Sequence, residues 1–456
     1  MRYKYLILLA FVVCSQAWAA PADFAAKIKK IASAPNQAIA VSIVDLANGQ
    51  ELAGLNANAT LKPASVMKVL TSAAALEELG VEYRFSTELF YDRRSGGQIE
   101  TLYIRGGADP SLTLESLWLV VRKLRKLGVT QINRVVLDDS RFMTQRTRVG
   151  QRAYETGSSA LALSFNSIAF DVCPGAVGNA ALVSVDPWEA SVQLRGSIKT
   201  VAGRGGQFSI DEVQSPSGGL TYSIGGTFGA GRSCETFYRS VDEPLVYFGS
   251  VFRGFCADLG IKVLSAPVSG STPEGAKFLA RHQSKALSLV LEDMNHFSTN
   301  FIAEQVLYAL GQGSDGSFDR QRGLERIRKY LIESGVPKED FTLFDGSGLS
   351  HDNRLTAAAI TKVLRRAVLN NHSGVEFEKS LSVGGENGTL KDRNFGDGVV
   401  LRGKTGTLDG VSTLAGVVET RSGRKVAFAI LQNGKLGKDA AAAIEEKIVT
   451  ELYHSL

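Results

Sequence analysis

Three short motifs carry residue types that together can perform acyl transfer. In chain order they are Ser65-Val66-Met67-Lys68, Ser298-Thr299-Asn300 and Lys404-Thr405-Gly406. Residues three positions apart share one face of a helix, with Cβ atoms about 5–6 Å apart, so Lys68 can reach the Ser65 hydroxyl if this segment is helical. The first motif therefore predicts a serine nucleophile paired with a lysine base.

A lysine acts as a base only while its amine is neutral, whereas its ordinary pKa is about 10.4. Burial and a second nearby cation both lower the pKa of a lysine, and Lys404 is the candidate for that cation. A helix start at Ser65 also favours the negative charge that develops on an attacked carbonyl. The sequence thus predicts a buried pair of Ser65 and Lys68 close to Lys404.

The second and third motifs supply groups that can hold a peptide substrate. The Ser298 hydroxyl can pass a proton between the lysine base and a leaving nitrogen, and the Asn300 amide both donates and accepts hydrogen bonds. Gly406 leaves room for an extended substrate to lie along its strand as an added strand. Lys404 and Thr405 are then placed to bind a terminal carboxylate.

Two of the motifs have second copies in the chain. Ser-x-x-Lys recurs at residues 422–425, within a polar turn, and Ser-x-Asn recurs at Ser164–Asn166, within a strand-like run over residues 160–172. A serine in the middle of a strand has no helix start beside it, whereas Ser298 precedes a predicted helix with an apolar face. That face is formed by Ile302, Val306 and Leu310. We therefore assign the second motif to Ser298.

Hydrophobic periodicity and turn residues predict the elements that position these motifs. Residues 38–56 read as a hairpin around Asn48-Gly49, and a helix follows between Pro63 and Gly80. Residues 86–274 are glycine-rich with short strand-like runs, which predicts an inserted region of one or two small domains. The catalytic domain is then discontinuous, over residues 20–85 and 275–456. Its second part begins with helices and ends with strands at 412–419 and 425–432 and a helix at 438–452.

The composition is that of an ordinary globular protein rather than a disordered or fibrous one. The chain has 456 residues, 44% hydrophobic and 21% charged, and a formal net charge of +5. Loss of Arg2 and Lys4 with an expected signal peptide leaves 49 basic residues against 46 acidic ones, or +3. So small an excess gives no support for nucleic acid as a partner.

The N-terminus has the three parts of a secretory signal. Basic Arg2 and Lys4 precede an apolar run over residues 5–13, and Ala17-Trp18-Ala19 offers small residues to a signal peptidase. We expect cleavage of residues 1–19 and export to the periplasm, without stable membrane insertion, because no later segment is long and apolar enough.

The mature chain keeps an odd number of cysteines, so at most one internal disulfide can form. The three are Cys173, Cys234 and Cys256, and Cys256 lies in an apolar, helical-looking stretch that suits a buried thiol. The five histidines are scattered, and no cysteine–histidine cluster has the spacing of a metal site.

The three motifs, in this order, resemble the active-site motifs of penicillin-binding proteins and class A β-lactamases. The surrounding sequence is similar to one branch, the D-alanyl-D-alanine carboxypeptidase/endopeptidase family of penicillin-binding protein 4, peptidase family S13. The similar stretches lie at residues 63–68, 106–112, 345–350, 388–390 and 403–408. They extend over nearly the whole mature chain, and a large insertion after the first motif is typical of the family.

The resemblance implies an α/β (α+β) fold of the penicillin-binding-protein/β-lactamase-like transpeptidase type. It implies that Ser65 is the acylated nucleophile and Lys68 its base, with the N–H groups of Ser65 and Thr407 as the oxyanion hole. Ser298 and Asn300 would relay protons and bind substrate. The implied substrate is the D-Ala-D-Ala end of peptidoglycan stem peptides, or the D-Ala–diamino-acid cross-link. β-Lactams would be covalent inhibitors, and neither a cofactor nor a particular protein partner is implied.

The sequence departs from the family at one place. Family members often carry a Trp-rich, Asp-containing stretch where this chain has residues 150–157, which contain neither Trp nor Asp and so lack that acidic contact to the side-chain amine of the substrate. Glu155 is a candidate replacement, although a solvated loop residue is the simpler interpretation.

Three alternatives to the peptidase make different demands on the sequence. A β-lactamase shares the acylation step but needs a group that activates water, and no class A glutamate loop is recognisable. A Ser-His hydrolase lacks support, because no Gly-x-Ser-x-Gly occurs and His296 and His351 follow no pattern that links them to a serine. A cell-wall binder has no need of an activated Ser–Lys pair. The β-lactamase remains the main alternative.

Overall fold

A computed structural model describes residues 23–34, 37–144, 149–215, 219–435 and 437–456. The signal peptide expected at residues 1–19 lies outside this described part of the chain. None of the helices within the described ranges combines the length and apolarity needed to cross a bilayer.

The helices are α1 Phe24–Ile31, α2 Met67–Leu79, α3 Leu114–Lys126, α4 Pro244–Asp258, α5 Leu287–His296, α6 Asn300–Leu310, α7 Arg320–Glu333, α8 Ala357–Val368, α9 Gly374–Ser380 and α10 Lys438–Ser455. The strands are β1 Gln37–Asp45, β2 Glu51–Leu55, β3 Ser86–Tyr91, β4 Arg94–Ser95, β5 Gln98–Arg105, β6 Gln131–Asp138, β7 Ser167–Cys173, β8 Leu182–Asp186, β9 Gln193–Gly196, β10 Lys199–Val201, β11 Phe208–Glu212, β12 Thr221–Gly229, β13 Glu235–Ser240, β14 Lys262–Val263, β15 Val268–Ser269, β16 Lys277–Gln283, β17 Phe341–Thr342, β18 Arg354–Leu355, β19 Ser382–Val383, β20 Val400–Leu408, β21 Val411–Glu419 and β22 Lys425–Gly434.

An antiparallel sheet in the order β19-β20-β21-β22-β1-β2 forms the centre of one unit. Both faces of its inner strands are buried, so these strands read as nearly continuous apolar runs. Helices α2 and α5–α9 cover one face, where small residues such as Ala40 and Ala429 admit close packing. Helices α1 and α10 cover the other face, against larger side chains such as Phe428 and Ile430.

A second unit is built around a mixed sheet in the order β14-β6-β5-β3-β16, with α3 and α4 packed on one face. Smaller sheets, β13-β7-β8 and a group around β12, extend this unit. Strand β16 pairs with β3, so the sheet of the second unit continues to Gln283. The boundary expected at residue 274 is therefore too early, because β16 completes the inserted sheet before the chain returns to the helices.

Most predicted elements near the motifs are present. The hairpin of β1 and β2, the helix that ends before Gly80, the final pair β21 and β22 and the terminal helix are confirmed. The prediction that the second Ser-x-Asn copy lies within a strand was wrong. Ser164–Asn166 is a 3-10 turn with positive φ angles, and the strand begins only at Ser167.

One disulfide joins Cys173 to Cys234, while Cys256 is a buried free thiol in α4. This confirms the single internal pair and the buried third cysteine. A disulfide that spans 61 residues of sequence is typical of exported proteins, since reducing compartments keep thiols free.

Candidate active site

The first motif forms the predicted Ser–Lys pair at the start of α2. A 3-10 turn, Ala64–Val66, leads directly into the helix, so Ser65 and Lys68 lie on one face. Lys68 Nζ is 2.9 Å from Ser65 Oγ and is completely buried. The amine is therefore within hydrogen-bond distance of the hydroxyl whose proton a base would remove.

Close backbone approaches fix the position of Ser65. Ala64 has a φ of +46°, a left-handed conformation that turns the chain just before the serine. A Cβ on Gly348 would stand 1.8 Å from the Ala64 carbonyl oxygen, and one on Gly406 would stand 2.8 Å from the Ser65 nitrogen. Glycine at these two positions therefore allows the loop of residues 345–350 and strand β20 to pack against the 3-10 turn that carries Ser65.

The Lys68 amine also donates to Asn300 Oδ1 at 2.8 Å and to the Ser347 carbonyl oxygen at 2.7 Å. Burial lowers the pKa of Lys68 to about 7, although the negative charges of Asp345 and Glu304 act in the opposite direction. A substantial fraction of Lys68 is thus neutral near neutral pH, as a general base requires.

A buried carboxylate that the sequence reading missed holds the loop beside Lys68. Glu304 of α6 accepts hydrogen bonds from the backbone N–H groups of Gly346 and Ser347, both at 3.1 Å. Its other oxygen lies 3.4 Å from Arg320. The only signal for this role was that residues 345–350 belong to a stretch similar to the S13 family.

Lys404 lies beside the pair on β20 and is also completely buried. Its amine donates to Ser298 Oγ at 2.9 Å and to the Thr405 carbonyl oxygen at 2.8 Å. Burial, and then the positive charge of Lys68, lower the pKa of Lys404 well below its ordinary value. Of the two causes expected for Lys68, burial is the larger, and the two like-charged amines disfavour each other's protonation.

Ser298 and Asn300 reach the site from the turn before α6. Ser298 has a φ of +56°, a strained conformation that aims its hydroxyl at Lys404 rather than into the helix. The Asn300 side chain bridges Lys68 and the Tyr154 carbonyl oxygen, the latter at 3.5 Å. The second Ser-x-Asn copy, Ser164–Asn166, does not join the hydrogen bonds around Lys68. Its buried Asn166 side chain bonds instead to Leu163 and Gly157.

The outer edge of β20 is open beside the reactive serine. In the described part of the chain, β19 pairs only with Arg402 and Gly403, so the edge from Lys404 to Leu408 carries no strand partner. Thr405 Oγ1 donates to Thr389 Oγ1 at 2.7 Å, and Thr389 is exposed. Thr407 is exposed one position beyond Gly406. This edge can therefore accept an extended peptide with its carboxylate near two hydroxyls.

A groove of about 770 Å³ extends from Ser298 and Asn300 between the two units. Aromatic rings line much of it, and two carboxylates, Asp186 and Asp293, face it. Glu155, the candidate acidic contact, instead accepts a hydrogen bond from the Arg152 backbone N–H at 3.0 Å, which closes its own turn. The groove thus has acidic side chains, but from other segments than residues 150–157.

An antiparallel sheet between helical layers, with the Ser65–Lys68 pair beside strand β20, is the architecture of the penicillin-binding-protein class. The sequence profile of the D-Ala-D-Ala carboxypeptidase 3 (S13) family matches residues 23–454, and the chain belongs to this family. The expected resemblance is confirmed, and the chain is a hydrolase of the carboxypeptidase class.

Individual relatives agree with the family assignment. A D-alanyl-D-alanine carboxypeptidase of Actinomadura sp. (strain R39) is 32% identical over 438 residues, which cover 90% of this chain and 80% of the relative. The D-alanyl-D-alanine carboxypeptidase DacB of Haemophilus influenzae is 25% identical, with 89% of this chain and 88% of the relative covered. The crystal structure of penicillin binding protein 4 from H. influenzae has a TM-score of 0.81 at 23% identity, covering 94% of this chain and 99% of that one. This likeness confirms the fold class.

Proposed function

We propose that this protein is a serine D-Ala-D-Ala carboxypeptidase that cleaves peptidoglycan stem peptides through an acyl-enzyme on Ser65. The observation that carries the proposal is the buried amine of Lys68, within 2.9 Å of the Ser65 hydroxyl and with its pKa lowered to about 7. A buried lysine that is partly neutral near pH 7 can accept the proton of the hydroxyl beside it, which is what acylation of a serine requires. The family and its carboxypeptidase relatives support the substrate class.

The proposed acylation step uses the contacts described at the site. The peptide lies along the β20 edge, with its terminal carboxylate at Lys404, Thr405 and the exposed Thr389. Ser65 Oγ attacks the carbonyl carbon of the penultimate D-Ala while neutral Lys68 takes the hydroxyl proton. The oxygen that becomes negative lies at the backbone N–H groups of Ser65 and Thr407.

The C–N bond then breaks as the leaving D-Ala nitrogen receives the proton that Lys68 took from Ser65, which returns Lys68 to its neutral state. Ser298 stands between Lys404 and the groove, so its hydroxyl is the proposed relay for that proton. Water hydrolyses the ester and returns the serine to its free state. Cleavage of a D-Ala cross-link is the same step with a larger leaving amine. We infer it as a second activity because the carboxylate end of the site, at Thr389, opens to solvent.

β-Lactams are proposed to acylate the same serine. Penicillin binding protein 4 of H. influenzae has been crystallised with a β-lactam, at a TM-score of 0.77 to this chain and 23% identity. The alternative β-lactamase reading would require fast hydrolysis of the adduct. The curated relatives described above are named as carboxypeptidases, which favours a long-lived adduct and slow nitrocefin turnover.

The proposed site of action is the cell wall outside the cytoplasm. The substrate class lies there, and the disulfide between Cys173 and Cys234 fits an oxidising compartment. Cleavage of residues 1–19 after export remains part of this proposal.

The groove predicts a preference for substrates whose acyl chain carries an ammonium group. Asp293 is paired with Lys285, whereas Asp186 forms no ion pair within the described ranges. We expect Asp186→Asn to lower kcat/KM about tenfold for a peptide with a free side-chain amine, since one charge-assisted hydrogen bond is lost. The same variant should change kcat/KM little for the peptide whose side-chain amine is acetylated. Asp293→Asn is the matched control, and equal losses for both peptides would contradict the assignment.

The test of the proposed function combines a β-lactam and a peptide. The purified protein is incubated with fluorescent penicillin, and the adduct is located by intact mass and peptide mapping. Release of D-Ala from a pentapeptide ending in D-Ala-D-Ala is measured in parallel. A stable adduct on Ser65 together with D-Ala release is the expected result. Rapid nitrocefin turnover without D-Ala release would instead identify a β-lactamase.

A further inference from the structure

One face of the sheet of the second unit carries a group of arginine and aromatic side chains. Helices α3 and α4 cover the opposite face, which contributes Leu89 and Ile104 to the core. Cross-strand pairing aligns Glu88 with Arg105 on one side and with Arg281 on the other. We call this group the arginine face; it comprises Glu88, Phe90, Arg105, Arg141, Phe278 and Arg281.

Three guanidinium groups of the arginine face converge on one carboxylate. Glu88 accepts from Arg105 at 2.8 Å, from Arg281 at 2.6 Å and from Arg141 at 3.4 Å. Hydrogen bonds from Arg105 and Arg281 overcome the effect of burial and keep the pKa of Glu88 below its ordinary value. Arginine stays charged at all physiological pH values. The cluster therefore holds three positive charges against one negative charge.

The nearby carboxylate of Asp138 does not restore neutrality. It accepts hydrogen bonds from Ser140 and Thr272, and even when it is counted the three arginines exceed the two acids. The pKa of Arg141 is lowered, first by burial and then by the positive charge of Arg105. The arginines thus repel one another, and an additional anion would relieve that repulsion.

The arginine face also has unused hydrogen-bonding capacity, one exposed ring and one partly exposed ring. Arg105 Nε is buried and has no hydrogen-bond partner among the described residues. The Arg105 guanidinium lies 4.4 Å from the centre of the Phe90 ring, which in turn contacts the edge of Phe278. Phe278 is 56% exposed, and the Arg281 side chain is 48% exposed. The site is therefore open to a large ligand.

These groups select for a particular ligand chemistry. The planar fork of an arginine matches the two oxygens of a carboxylate, and several forks together suit a chain that carries repeated carboxylates. Exposed aromatic rings offer an apolar surface to the C–H faces of sugar rings. A glycan strand bearing carboxylate-containing peptides has both features.

We propose that the arginine face binds the glycan strand of peptidoglycan and holds the polymer while another of its stem peptides occupies the groove. This inference rests on the proposed function for the identity of the polymer. None of the residues that line the groove beside Ser298 belongs to the arginine face, so the two sites are separate surfaces. The second unit thereby acquires a role in substrate retention that the chemistry at Ser65 does not require.

Sedimentation with purified insoluble peptidoglycan tests the proposal. The parent protein carries Ser65→Ala so that the polymer stays intact, and Arg281→Glu with Phe278→Ala is added to it. Both changed side chains are about half exposed, so the fold should persist. The matched control is Lys277→Glu, because Lys277 is exposed, adjacent in β16 and directed to the opposite face of the strand.

We expect the Arg281→Glu, Phe278→Ala protein to bind the polymer at least about tenfold more weakly at low salt, with Lys277→Glu close to the parent. Equal binding by parent and variant, equal loss in the Lys277→Glu control, or no binding by the parent would each overturn the proposal. Fluorescent penicillin labelling of the same variants with Ser65 restored should be unchanged. A wild type that is not labelled would count against the proposed function alone, since sedimentation does not depend on acylation.

Discussion

Ser65→Ala is expected to abolish the β-lactam adduct and to lower D-Ala release by a factor of about 10⁶, the order of magnitude lost when the nucleophilic serine of a hydrolase is removed. The only side-chain hydrogen bond described for Ser65 Oγ is to Lys68, so the change removes the reacting oxygen without opening the core. The protein should therefore remain folded, with its unfolding temperature within a few degrees of that of the wild type.

Intact mass after penicillin treatment and a coupled assay of D-Ala measure the two effects. Ser164→Ala provides the matched control, because Ser164 lies in the same groove within the second Ser-x-Asn copy but does not contact Lys68. It should keep the adduct. An adduct that persists in Ser65→Ala would place the nucleophile elsewhere and would remove the basis of the proposed mechanism.

The motif contacts could be predicted because they rest on local geometry. A spacing of three in a helix brings a lysine to a serine whatever the rest of the fold does. The requirement for a glycine at position 406 also follows from the sequence, once a substrate strand is assumed to pass close to β20. These inferences need only the element type, and α2 and β20 have the expected types.

The surroundings of Lys68 could not be predicted, because they depend on contacts between distant segments. Ser347 contacts Lys68, and Glu304 holds the loop of residues 345–350. Both contacts exist only because α6 and this loop pack against α2. Their sequence positions, more than 200 residues from Lys68, carry no local signal. Thr389 joins the carboxylate end of the site in the same way, through a short turn whose pairing no periodicity indicates.

The incorrect local predictions have a common cause. Residues 160–172 alternate like a strand, yet Asn166 bonds to Leu163 and Gly157 and folds the first half into a turn. Side-chain bonds to nearby backbone compete with strand pairing in this manner. Similarly, β16 resembles the start of the helical region in sequence, but its hydrogen bonds go to β3, and pairing partners cannot be read from one strand alone.

Lys68 should impose a pH dependence on acylation, and its replacement should nearly stop the reaction. We expect Lys68→Met to lower the second-order rate constant for penicillin by a factor of about 10²–10⁴, the usual contribution of a general base. In the wild type, Lys68 is protonated below its pKa of about 7 and cannot accept the Ser65 proton. The rate constant should therefore fall about tenfold per pH unit below 7 and level off above it.

The Glu304→Gln variant distinguishes an electrostatic effect on the pKa of Lys68 from a general loss of structure at the site. Because the negative charge of Glu304 raises the pKa of Lys68, its removal should lower that pKa further, and the acid limb of the pH profile should move to lower pH. The plateau should fall as well, since Gln holds the Gly346 and Ser347 N–H groups less strongly. Glu445→Gln is the control, because Glu445 is equally buried but bonds to Arg393 and Gln432 on the far side of the sheet. If the acid limb stays in place in Glu304→Gln, or moves equally in Glu445→Gln, then Lys68 is not the group that titrates, and the base that activates Ser65 must be sought among the other residues at the site.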